Sequence, residues 1–71
     1  MKTFSEYIDE MKEKIPQEVG KTLPMAISKD TQKWMMNYPP SFMAQVINDA
    51  IKEINQGSVQ RIEQIIYKRV K

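Results

Sequence analysis

The sequence has no cysteine, no histidine, only two glycines and a single tryptophan. Without Cys there can be no disulfide, and without Cys and His together the usual ligands of zinc, haem and iron–sulfur clusters are missing. The same absence removes Ser-His and Cys-His nucleophile pairs and every side chain that titrates near neutrality without help. Gly20 and Gly57 stand too far apart to build a G-x-G-x-x-G turn or a phosphate-cradling loop. No metal, no cofactor and no enzymatic activity are therefore expected. No uncharged apolar run approaches the ~18–20 residues of a membrane span. The opening MKTFSEYIDEM places acids where a leader would need an apolar stretch. A soluble, cytoplasmic chain without membrane contact is the expectation.

What is present is one small domain of 71 residues and 8.4 kDa. A core of this size rarely supplies more than roughly 3–5 kcal/mol. With disulfides and metals excluded, a second copy of the chain is the remaining stabilising device.

Helical punctuation opens the chain. Thr3 and Glu6 have the spacing of a capping box, and Phe4, Tyr7, Ile8, Met11 and Ile15 recur at intervals of 3 and 4 as one apolar stripe. Pro16 limits that helix to about three turns. Glu6/Glu10 and Asp9/Glu13 have i,i+4 spacing, which suits a metal or acid/base pair. The simpler reading is a solvated acidic face near a helix N-terminus. After a connector at 17–21 the period changes: Leu23, Met25 and Ile27 alternate with Thr22, Pro24 and Ala26, which predicts a strand over 22–27. A lone strand either stays extended in solvent or pairs with another copy, as a two-stranded antiparallel ribbon. Pro24 weighs against pairing but is tolerable where its N–H position faces outward.

Ser28 is placed to cap a short helix carrying Thr31, Trp34, Met35 and Tyr38, ended by Pro39-Pro40. Ser41 then caps the most regular element, with Phe42, Met43, Val46, Ile47, Ala50, Ile51 and Ile54 on one face and Gly57 as the residue after its end. Ser58 caps a last helix whose Val59, Ile62, Ile65, Ile66 and Val70 face inward. Met11, Met25, Met35 and Met43 all fall on faces expected to be buried. Net charge is +2, but it is uneven: −2 over 1–20, +2 over 21–40, −1 over 41–57 and +3 over 58–71. The basic tail has ordinary explanations in helix-end electrostatics and solvation.

One strand, a capped helix, a turn and a longer apolar helix over residues 21–55 resemble the ribbon-helix-helix family of DNA-binding repressors and antitoxins. The run Val46-Ile47-Asn48-Asp49-Ala50-Ile51-Lys52-Glu53-Ile54 is similar to that family's second helix. The resemblance implies a mostly α fold with one short β-strand. Its ribbon-helix-helix core over 21–57 forms an intertwined homodimer, with an N-terminal helical extension at 1–20 and a basic amphipathic helix at 58–71. It further implies a ribbon in the major groove of double-stranded operator DNA, with Thr22, Pro24 and Ala26 at the bases and Lys21 and Lys29 flanking them. The backbone N–H groups of Ser41, Phe42 and Met43 would hold a phosphate. Pro24 and Ala26 depart from the family's polar readers, and the first core helix is about one turn short.

The function this implies is a sequence-specific transcriptional repressor of plasmid type, a homodimer able to form higher oligomers on DNA. Two other readings stand beside it. One is a small helical inhibitor or adaptor, of phage or plasmid origin, that binds another protein. The other is a relaxosome or partition accessory protein, which shares the DNA-binding fold.

Overall fold

The computed structural model describes residues 2–70 and consists of five helices with no strand among them. α1 (Phe4–Asp9) starts on the expected capping box. The Thr3 hydroxyl accepts the Glu6 N–H at 3.2 Å, and the Glu6 carboxylate accepts the Thr3 N–H at 2.9 Å. That bond, together with the Thr3 hydroxyl, lowers the Glu6 pKa from its ordinary value. The helix proper ends at Asp9 and continues as turns to Ile15, so it is shorter than the stripe suggested. All five residues of that stripe are nonetheless buried.

α2 (Gln17–Ala26) overturns the expected fold. Residues 22–27, read as a ribbon strand, form the last turns of this helix and the first residue after it. A ribbon-helix-helix core needs a strand, so neither that core nor its intertwined, ribbon-paired dimer is present. The alternation misled because Leu23 and Ile27 satisfy two periods at once: they are two steps of a pleat and also an i,i+4 pair. Val19 extends the pair to a helical stripe packed on the core. Met25 decides between the two, since a strand would bury it with its neighbours and it is 84% exposed.

Pro24 has no N–H for the Gly20 carbonyl, a local cost that a helix interior normally avoids. Neighbouring side chains supply polar partners to this helix. The Thr22 hydroxyl donates to the Glu18 and Val19 carbonyls, 3.2 Å each. The Gln32 amide reaches back to the Pro24 and Ile27 carbonyls, both at 3.0 Å.

α3 (Lys29–Met35) begins at Ser28, as the sequence suggested. α4 (Pro40–Asn55) begins with Pro40 at its first position, and Pro39 is the capping residue where Ser41 was expected. Its end is the expected glycine: Gly57 has φ +103°, its N–H donates to the Ile54 carbonyl and the Ser58 N–H to that of Glu53. α5 (Ile62–Val70) starts four residues after Ser58, leaving Val59 98% exposed where an inward position was expected. α4 packs along α5 and α1 against α2. Met11, Met35, Met43, Ile47 and Ile66 sit at the centre of one continuous apolar core to which all five helices contribute.

Candidate functional site

The sequence-predicted DNA contacts lie on two different helices and at the start of a third. Lys21, Thr22, Pro24 and Ala26 are all exposed on the solvent side of α2. In a helix they cannot alternate as ribbon readers, and the Thr22 hydroxyl is engaged by backbone. Lys29 is exposed at the first position of α3. Ser41 and Phe42 are exposed in the first turn of α4, but Met43 is wholly buried and its N–H donates to the Pro39 carbonyl at 3.1 Å. With the Met43 N–H engaged, the expected phosphate cradle of Ser41, Phe42 and Met43 keeps only its first two donors.

A different constellation comes together around α3. Trp34, Tyr38 and Phe42 follow one another at i,i+4 spacing across Pro39-Pro40, and Tyr67 joins them from α5. Their ring centroids are 5.4 Å apart for Trp34–Tyr38, 5.7 Å for Tyr38–Phe42 and 5.1 Å for Trp34–Tyr67. These separations are those of favourable aromatic pairs. Trp34 and Tyr38 rest against the core, while Phe42 and Tyr67 at the ends are 41% and 45% exposed. The four rings form a ladder that is anchored in the middle and open at both ends.

Two polar clasps fix the ladder. From α5, the Glu63 carboxylate accepts the Ser28 N–H at 2.6 Å and lies 3.4 Å from its hydroxyl, tying the start of α3 to the helix that carries Tyr67. From α1, the buried Tyr7 hydroxyl lies 2.9 Å from the Met35 carbonyl and 2.8 Å from that of Tyr38 and donates its proton to this pair. Burial, and secondarily the charge of Glu10, push the Tyr7 pKa up to about 12. Tyr7 is therefore a neutral structural donor at physiological pH and no general base.

Beside the ladder runs an open groove of about 780 Å³ between α1 and α3. Trp34, Tyr38 and Pro40 give it apolar walls, and Lys2, Lys33 and Asn37 give it polar ones. Tyr7 and Met36 complete the lining, so no carboxylate lines it. Lys2 is bridged to Glu10, whereas Lys33 makes no ion pair among the described residues. The acidic pairs on α1 have structural roles in part: Glu6 caps Thr3 and Glu10 holds Lys2. Among the described residues no group of acids is gathered as a metal site.

The sequence places Trp34 and Tyr38 on the short helix before Pro39-Pro40 and marks no role for Tyr67. The i,i+4,i+8 run of Trp34, Tyr38 and Phe42 was the available sign. It was obscured by Pro39-Pro40: Trp34 lies in α3, Phe42 in α4 and Tyr38 between the two helices. No protein-family model matches the chain, and comparison with curated proteins and with solved structures finds no match. No helix among the described residues is long and apolar enough to cross a membrane.

Proposed function

We propose that this chain is a protein-binding module, an adaptor or inhibitor without catalysis of its own, and that it engages its partner through the aromatic ladder on the α3 face. The observation that carries this reading is the partial exposure of Phe42 and Tyr67 at the ends of a rigidly anchored four-ring array. Aromatic side chains supply large contact area at small entropic cost and are enriched among the residues that dominate binding energy. Two clasps hold this array in place before any partner arrives, which reduces the ordering cost of association. Val59 and Met25 are more exposed still, but each stands alone, and single exposed apolar residues are ordinary.

A photo-crosslinking phenylalanine analogue at position 42, compared with one at position 25, tests the reading in cells that make the protein. The expected result is one dominant adduct from position 42 and none from position 25. The crosslinked protein, purified, should bind the wild-type chain in titration and lose at least roughly tenfold in affinity to Tyr67→Ser, a change of the size seen for interface aromatics. Adducts that are the same from both positions, or affinity indifferent to Tyr67→Ser, contradict it.

A further inference from the structure

Resting on that reading, we infer that the groove beside the ladder takes an acidic, extended segment of the partner, with an apolar side chain laid against Trp34 and Tyr38 and a carboxylate at Lys33. Charge complementarity favours this occupant. The lining holds no carboxylate; of its two lysines Lys2 is bridged to Glu10, and Lys33 is without an acidic partner among the described residues. The Asn37 side chain, which carries an amide donor, is exposed in the same lining. A ligand rich in acceptors, backbone carbonyls and carboxylates, matches that set.

The scale agrees with a short segment. About six extended residues span roughly 20 Å, the width of the molecule across its shorter axes of 23 and 20 Å. A nucleic-acid strand fits less well. The rings are inclined to one another, by 71° for Trp34–Tyr38 and 53° for Trp34–Tyr67, so they offer no run of parallel faces for successive bases.

Trp34 is the chain's only tryptophan, so its fluorescence reports occupancy of the groove directly. The probes are three: a pool of decapeptides with four Asp or Glu around two positions varied over Leu, Ile, Met and Phe; the same pool with Lys for the acids; and a ten-nucleotide oligothymidine. The expected result is a saturable change in Trp34 emission with the acidic pool only, weakened several-fold between about 50 and 300 mM salt. Lys33→Glu should weaken it by roughly tenfold and Lys33→Arg should retain it. Lys33 is exposed in the last turn of α3, and circular dichroism of the variants confirms that they fold.

No response to the acidic pool up to about 1 mM, or an equal or stronger response to the basic pool or the oligonucleotide, overturns the inference. A partner that crosslinks at position 42 but binds Lys33→Glu as well as wild type also overturns it, while leaving the protein-binding reading intact. Absence of any position-42 adduct defeats that broader reading instead.

Discussion

The Tyr7 hydroxyl meets the Tyr38 carbonyl at 2.8 Å, joining α1 to the residue that ends the α3 turn just before Pro39-Pro40. Tyr7 is only 2% exposed, and the bond is part-buried. Its removal leaves the Tyr38 carbonyl without that donor, whereas the Met35 carbonyl still accepts the Tyr38 N–H at 3.1 Å. Tyr7→Phe keeps the ring and its packing. It is expected to cost about 1–2 kcal/mol, a fall in Tm of roughly 5–15 °C, read by urea and thermal unfolding.

The same tyrosine sets an alkaline limit. Its pKa is pushed up from 10.0 to about 12 in the folded chain, chiefly by burial. A raised folded-state pKa means that this contribution to stability is fully present below pH 10 and is lost as pH rises from there through about 12. Unfolding free energy measured between about pH 8 and pH 12 should bend downward above pH 10 in the wild type. The bend should be shallower in Tyr7→Phe, which has no such proton to lose.

Pro24 distinguishes the helix from the strand that alternation suggested. In α2 the substitution Pro24→Ala restores an N–H opposite the Gly20 carbonyl and removes a ring from a helix interior. A gain of about 1–2 kcal/mol is expected, after allowing for the extra freedom of the unfolded chain. Far-ultraviolet circular dichroism and chemical denaturation measure it. A loss of stability or of helicity contradicts the assignment of α2.

The two glycines should respond in opposite directions. Gly57 holds φ +103° at the end of α4, and Gly57→Ala forces a side chain into the left-handed region at a cost of about 1 kcal/mol. Gly20 lies within α2, where a Cβ would stand 3.4 Å from Ile8 Cγ2 and 3.8 Å from Ile15 Cδ1, ordinary contact distances or nearly so. Gly20→Ala is therefore expected to stabilise by about 0.5–1 kcal/mol. Unfolding of the two variants side by side gives the comparison.

Much of this fold was legible in the sequence where a local signal had a single interpretation. The Thr3–Glu6 capping box, the Ser28 cap, the Gly57 terminus and the inward faces of Met11, Met35 and Met43 all follow from spacing. The failures came where one pattern served two structures. Leu23 and Ile27 fit a pleat and a helix equally, and the helix is selected by the packing of Val19 and Leu23 on the core with Met25 left exposed, a tertiary effect that local alternation does not contain. Ser58 and Val59 looked like a cap and an inward residue, yet three residues, Val59 to Arg61, separate Ser58 from α5. The candidate site was less legible than the fold, because its parts come from α1, α3, α4 and α5. Tyr67 and Lys2 acquire meaning only once Trp34 and Lys33 lie beside them.

The most direct measurement of the central claim is an amide correlation spectrum of the isotope-labelled chain, recorded as the partner recovered by crosslinking is added. If the chain binds through the ladder and its groove, the shifts of Lys33, Asn37, Phe42, Tyr67 and the Trp34 indole N–H move first and furthest. Those of Lys21, Thr22, Met25 and Ala26 on the solvent side of α2 stay in place. Perturbations confined to α2, with the Trp34 indole signal unmoved at saturation, would contradict the claim.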